Sequence, residues 1–458
     1  MKTPIYDFVQ NYAKAQGTRF HMPGHKGTAF LGCEPYDITE VAGADVLSEA
    51  AGIIGESQAN AAALFRTGAS FYSTEGSSQS IKAMLGAALM YWRSRQSAGS
   101  QARPWVLAAR NVHRAMIDGC ALLDLDVRFL PTGGQNSLCS VHTDAGAVES
   151  ALTGAQGSPI GVYLTSPDYL GGQSDIKAVA EVCHAHGIPL LVDNAHGAYL
   201  AFLEPSMHPI ALGADLCCDS AHKTLPVLTG GGYLHLHPAC TEQFRDYIPQ
   251  CMTLFGSTSP SYLILQSLDL CNNYLERDYK YRLKSCIIRI DRLIETMADR
   301  GIVIRKSDPL RIVIDTGAAG YTGEQISREM REREQIECEF CDLQYVVLML
   351  TPENNERDLD RLDAWSRFTV LRTPVESHFR QNVVFTETAD RSMTIREAVF
   401  APSETIPVTE AQGRILAQET VSCPPAIPIG ISGELVEKEM IKMFQLYGID
   451  TIRVVKQA

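Results

Sequence analysis

Between residues 60 and 240, strand-length apolar runs alternate with helical patterns, and each run ends in a polar cluster. The runs are Trp105-Val106-Leu107-Ala108-Ala109, Ile160-Gly161-Val162-Tyr163-Leu164, Ile188-Pro189-Leu190-Leu191-Val192 and Asp215-Leu216-Cys217-Cys218. They are nearly continuous in apolar character, as strands buried on both faces are. Between them, Ile81, Met84, Leu85, Ala88, Leu89 and Trp92 recur at the spacing of one helix face. Val179, Val182 and Cys183 do so over a shorter stretch. This alternation predicts an α/β fold with a mainly parallel sheet covered on both faces.

The rest of the chain reads differently. Leu263 through Arg300 is one long helical stretch leaving this domain. Strand patterns restart at Ile302-Val303-Ile304, Arg311-Ile312-Val313-Ile314 and Tyr345 to Leu350, as in a smaller α+β domain. A polar stretch near 374–393 leads to a tail with Pro424-Pro425 and a helix-like run from Leu435 to Tyr447. At 458 residues the chain is too long for one ordinary core. The expected parts are an N-terminal arm (1–60), a large domain (61–290), a small α+β domain (291–380) and a C-terminal α+β tail (381–458).

The net charge of −13 argues against a nucleic-acid partner. The first residues hold no apolar signal segment, and no apolar run is long enough for a membrane span. Thirteen cysteines without a framework fit free thiols in a reducing cytoplasm. Cys338-Glu339-Phe340-Cys341 lacks the second pair that a zinc site wants. The pairs His184/His186 and His235/His237 have no third ligand pattern and read as structural, so no metal is expected.

Ligands of open α/β sheets bind beyond the carboxyl ends of the strands. Four clusters stand there: Arg110-Asn111-Val112-His113, Thr165-Ser166-Pro167-Asp168-Tyr169, Asp193-Asn194-Ala195-His196-Gly197 and Asp219-Ser220-Ala221-His222-Lys223. A lysine amine there can join an aldehyde cofactor as a Schiff base, although most lysines only face water. Asp193 ends the most apolar strand and would suit the ring nitrogen of pyridoxal 5′-phosphate (PLP), or serve as a helix cap or turn residue. Gly76-Ser77-Ser78 opens the helix of Ile81, where first-turn amides favour a phosphate, or where a serine simply caps. His113 could stack on a cofactor ring, or be structural.

The chain resembles the Orn/Lys/Arg decarboxylases of bacteria, in their short form without an N-terminal wing domain. The resemblance rests on Phe20-His21-Met22-Pro23-Gly24-His25-Lys26-Gly27, Asp37-Ile38-Thr39-Glu40, Gly76-Ser77-Ser78 and Arg110 to His113. It continues through Asp193 to Gly197, Ser220 to Lys223, Thr258-Ser259-Pro260-Ser261-Tyr262 and Pro424-Pro425-Ala426-Ile427-Pro428, in order along nearly the whole chain. It implies the aspartate-aminotransferase fold (fold type I) and PLP as cofactor. It implies that Lys223 carries the cofactor, Asp193 pairs with its ring nitrogen, and His113 stacks over the ring. Ser77, Ser78, Ser220 and His222 would hold the phosphate or lie beside it, with His196 near the ring. A homodimer or larger homo-oligomer with shared sites is implied, the segment around Ser259 reaching the neighbouring cofactor. The chain departs from the family pattern at Gly230 (usually Gln), Asn194 (usually acidic), Ser432 (usually Pro) and Cys423 (often Tyr).

The activity so implied is decarboxylation of arginine, lysine or ornithine to an amine and carbon dioxide. The proton returned to Cα would come from Lys223 or His222. Glu434, Glu40 and Glu339 are candidates for the substrate's cationic end. Transamination or a lyase step on the same fold is the main rival, and would want an arginine such as Arg311 for the substrate carboxylate. A non-catalytic PLP-fold binding or regulatory protein is the other rival; it would be free to lose Lys223 or Asp193, and both are present.

Overall fold

A computed structural model describes residues 1–97, 99–131, 137–305, 307–374, 391–422 and 426–457. Cys423, Pro424, Pro425 and most of the polar stretch at 374–393 lie outside the described residues. Seven strands form the main sheet: β1 (Ala69–Ser73), β2 (Trp105–Ala108), β3 (Asp126–Phe129), β4 (Val162–Thr165), β5 (Leu190–Asp193), β6 (Leu216–Asp219) and β7 (Gly232–Leu236). Their order is β1-β7-β6-β5-β4-β2-β3. β2 pairs parallel with β3 and β5 with β6, whereas β7 runs antiparallel to both β1 and β6. The four apolar runs are β2, β4, β5 and β6. Every residue of β5 and β6 is buried, which explains their unbroken hydrophobicity.

Two compact units make up the chain. The first comprises Met1–Gln101, Ile160–Val162 and Ile176–Tyr281. In it the helix Gly76–Ser94 begins where its spacing predicts and buries Ile81, Met84, Leu85 and Ala88. The helix Pro4–Lys14 has no side-chain cap of its own. Instead the Asp269 carboxylate accepts the amides of Ile5 and Tyr6 (2.9 and 3.0 Å) and the Ser57 hydroxyl (2.6 Å). This long-range cap fixes the N-terminal segment to the helix Tyr262–Arg277.

The expected single helix from Leu263 to Arg300 is two, Tyr262–Arg277 and Tyr279–Asp299, broken at Asp278. The break lets Tyr279 bury its ring edge-on against Phe202, with centroids 5.2 Å apart. Tertiary packing here overrides a continuous helical pattern.

The second unit comprises Ala102–Pro159, Tyr163–Asp175 and Arg282–Ala458. Besides its share of the main sheet it holds an antiparallel sheet of β8 (Ile304–Arg305), β9 (Arg311–Asp315), β10 (Phe340–Cys341) and β11 (Tyr345–Met349), in the order β10-β11-β9-β8. The tail adds two antiparallel pairs, β12 (Ser403–Pro407) with β15 (Thr451–Val455) and β13 (Thr420–Ser422) with β14 (Ile427–Gly430). Val313 and Val347 of the small sheet share a core with Ile429, Phe444 and Val454 of the tail. Arg110, just beyond β2, is buried and donates to the carbonyls of Pro428 (3.0 Å) and Ile429 (2.8 Å). Its guanidinium also covers the Phe129 ring, 4.8 Å from the centroid. The tail thus packs directly behind the loop that carries His113.

Candidate active site

Parallel pairing sets Asp193 at the end of β5 opposite Cys218 of β6. Each strand therefore delivers its polar cluster to one edge of the first unit. Asp193 is buried; its Oδ1 accepts the Ala195 amide at 3.1 Å and lies 3.6 Å from Cys218 Sγ. A carboxylate kept there as an anion needs donors or a cation beside it, and a pyridinium N–H is one. Ser220, also buried, precedes the short helix Ala221–Thr224, and its carbonyl accepts the Lys223 amide at 3.1 Å. That turn aims Lys223 back at the β5 loop, and its Nζ stands 2.9 Å from His196 Nε2. The structure thus brings Lys223 beside His196, on the loop that follows Asp193 at the end of β5.

His222 points to the other side of the turn. Its Nδ1 donates to the Gly231 carbonyl at 2.9 Å. A Cβ built on Gly76 would stand 3.7 Å from His222 Cε1, and Gly76 has φ +67. The start of the helix Gly76–Ser94 therefore meets the lysine turn. The residue before that helix, Glu75, makes no side-chain cap, and Ser77 and Ser78 lie inside the first turn rather than capping it. Uncapped first-turn amides beside two serine hydroxyls are the donor set a phosphate requires. The residues present therefore fit PLP: the helix start would suit its phosphate and Asp193 its ring nitrogen.

His113 belongs to the second unit. It caps the helix Arg114–Leu123, its Nδ1 accepting the Ala115 amide at 3.1 Å, which fixes the ring and leaves the proton on Nε2. The turn is held from behind: the Arg114 amide donates to the Ala426 carbonyl at 2.9 Å, and Arg114 Nε pairs with buried Glu419 at 2.7 Å. Burial pushes Glu419 up to about 7. Neither amide atom of buried Asn111 has a partner among the described residues, which marks this loop end as a place for a ligand's or water's polar atoms.

Other expectations resolve as follows. Glu434 is buried against Arg110 (3.9 Å) and accepts the Ile431 amide, and Glu339 accepts the Tyr169 hydroxyl at 2.7 Å. Glu40 lines a cavity of about 420 Å3 with Gln79, Ser257, Thr258 and Pro260. Arg311 is buried, pairs with Asp308 at 3.1 Å and donates to the Asp168 carbonyl. Cys338 and Cys341 are free thiols. His184 pairs with Asp215 at 3.0 Å, and His237 caps a 3-10 turn by accepting the Ala239 amide. His235 is different. Together with His208, Asn194 and Asp219 it forms a fully buried polar cluster under the site. Sequence reasoning did not assemble that cluster, because His208 stands before the 3-10 turn Pro209–Leu212 and His235 on β7, and only the fold brings them to Asp219. The one signal was Asp219 itself, an acid closing an apolar strand.

Sheet order, the lysine turn and the phosphate-type helix start define a fold type I PLP enzyme. The profile of the Orn/Lys/Arg decarboxylase major domain matches residues 3–316, and that of the family's C-terminal domain matches residues 376–448. The chain belongs to the Orn/Lys/Arg decarboxylase family. It is 29% identical to the arginine decarboxylase of Bacillus subtilis strain 168, over 96% of this chain and 92% of that protein. It is 28% identical to the arginine decarboxylase of Halalkalibacterium halodurans, over 95% and 91% respectively. The lysine decarboxylase structure from Francisella novicida superposes with a TM-score of 0.79 at 15% identity, covering 99% of this chain and 81% of that one.

Proposed function

We propose that this protein is a PLP-dependent decarboxylase whose substrate is arginine, with lysine and ornithine as the alternatives. The observation that carries the chemistry is Lys223 Nζ at 2.9 Å from His196, on the turn beside buried Asp193. The preference for arginine follows the near-full-length relatives named arginine decarboxylase. All three carboxylates considered for the cationic end accept a protein donor, Glu40 from the Thr39 hydroxyl at 2.5 Å, and Glu40 is favoured because it lines the cavity.

When bound, the cofactor supplies an electron sink for the pair left on Cα as the carboxylate departs. Lys223 anchors it through Nζ, and His196 orients that amine. The Asp193 carboxylate holds a proton at the ring nitrogen. Ser77, Ser78 and the first-turn amides hold the phosphate, with Ser220 and His222 beside them. His113, fixed by its cap to Ala115, presents its ring face. Lys223 returns the proton to Cα, because the Nδ1 proton of His222 is committed to Gly231. Arg311 is engaged by Asp308 and Asp168, which disfavours transamination through that residue. We also propose a cytoplasmic homodimer contributing to polyamine supply. Its support is the exposed apolar Phe20, Phe30 and Leu31 on the N-terminal segment, and the absence among the described helices of one able to cross a membrane.

The test is product analysis of the PLP-loaded protein offered each of the three amino acids separately. Agmatine from arginine is expected. Cadaverine or putrescine alone would move the substrate, and a keto acid without carbon dioxide would replace decarboxylation by transamination.

A further inference from the structure

Beneath the cofactor residues lies a polar cluster that the reaction scheme leaves idle. Asn194, His208, Asp219 and His235 are each at most 1% exposed. Asp219 Oδ1 accepts the Asn194 amide at 2.7 Å and lies 3.6 Å from Cys217 Sγ. Its Oδ2 lies 3.0 Å from His208 Nε2 and 3.3 Å from His235 Nε2.

The outer ring nitrogen of His208 settles where its proton sits. His208 Nδ1 accepts the Ile210 amide at 3.3 Å, and His235 Nδ1 faces the Ser70 hydroxyl at 2.8 Å. A proton on His208 Nδ1 would oppose a second donor, so its proton sits on Nε2 and points at Asp219. These donors hold the Asp219 carboxyl below its ordinary range although burial alone would raise it. The donor atoms of His208, Cys217 and Asp219 lie within 4.8 Å of one another, as a metal site would place them. The Nε2–H of His208 makes it a hydrogen-bond donor there rather than a ligand.

Asn194 is the member that reaches the site. It follows Asp193 directly, and its amide N–H donates to the Cys218 carbonyl at 2.9 Å. Its side chain lies across Gly197, where a Cβ would stand 1.9 Å from Asn194 Oδ1. Asp219 directly precedes Ser220. The 2.7 Å bond therefore joins the loop of Asp193 and His196 to the turn of Ser220, His222 and Lys223. The family's usual acidic residue at position 194 could not make this bond to an ionised Asp219; the amide can.

We propose that Asn194 and Asp219 are positioning residues whose side-chain hydrogen bond locks together the two loops that hold PLP. The proposal rests on Lys223 and Asp193 being the cofactor residues. It acts through them and touches neither cofactor nor substrate.

The test compares wild type with Asn194→Asp, Asp219→Asn, the reciprocal double variant and Asn194→Ala. Two readouts are taken: the dissociation constant of PLP from each folded protein, and the melting temperature of each apo-protein. Each single variant should weaken PLP binding by at least about tenfold, the scale of one hydrogen bond to a charged group. The reciprocal double variant restores the donor–acceptor pair, and should recover affinity to within about threefold of wild type, the signature of direct coupling. The pH profile of the bound cofactor's absorbance should shift in the single variants and return in the double. Unchanged PLP affinity in folded Asn194→Ala, or additive effects in the double variant, would overturn the proposal. Should the charge-altering variants not fold, Asn194→Ala and Asn194→Ser decide it by the same affinity measurement. If wild type itself binds no PLP, the cofactor assignment fails. The bond is then judged separately by the apo-protein melting cycle, where additive effects overturn it.

Discussion

Single residues here are chosen by what burial does to their charge. Asp168 is buried at 3% exposure, and burial pushes its carboxyl up to about 6 from 3.8. A carboxyl with a raised folded-state value binds its proton more tightly in the native state. Its stability contribution therefore falls as pH rises from about 4 to about 6. Asp168→Asn keeps the acceptor for the Gly172 amide and removes the titration. The variant should gain on wild type by about 1–3 kcal/mol between pH 4 and pH 7 in denaturant unfolding. A difference independent of pH would contradict the burial argument. Glu40 is tested differently. Glu40→Gln should raise KM for arginine by about tenfold or more, with a smaller effect on kcat, as expected for a lost ion pair to the bound substrate. An unchanged KM would place the guanidinium elsewhere.

At the scale of elements, the loop Gly230–Gly232 shows how backbone approach shapes the site. Gly230 has φ +98, and a Cβ there would stand 2.9 Å from the Thr74 carbonyl oxygen. Its own carbonyl accepts the Gly76 amide at 2.6 Å, which places the start of the helix Gly76–Ser94. The family's usual glutamine at this position does not suit this backbone. Gly230→Ala should cost about 1–3 kcal/mol and loosen PLP binding, read as a lower melting temperature and a higher dissociation constant. Wild-type values for both would show that the loop relaxes. The sequence made β2, β4, β5 and β6 legible, because strands buried on both faces are unbroken apolar runs. It hid β1 (ASFYS) and β3 (DVRF), whose short mixed patterns match no template, and β7, which pairs antiparallel on both sides. It also hid the break at Asp278, which answers to Phe202 more than seventy positions away. The site was legible where function concentrates residues in one segment, as from Ser220 to Lys223. The cluster of Asn194, His208, Asp219 and His235 was not, because only the sheet brings it together.

For the whole molecule, charge and architecture meet the substrate together. A net charge of −13 attracts a cationic amino acid from a distance, and salt screens that attraction. Raising ionic strength from about 10 mM to about 300 mM should lower kcat/KM for arginine by roughly threefold, with kcat little changed. An insensitive kcat/KM would confine recognition to the pocket. The fold shared with a lysine decarboxylase at 15% identity is set by the sheet and its buried strands, while the proposed chemistry rests on one turn at its edge. The most direct test of the account therefore looks at that turn. The PLP-loaded protein is reduced with borohydride, digested and mapped by mass spectrometry. The account predicts a phosphopyridoxyl group on Lys223 and on no other lysine. The label on a different lysine, or none after loading, would contradict it.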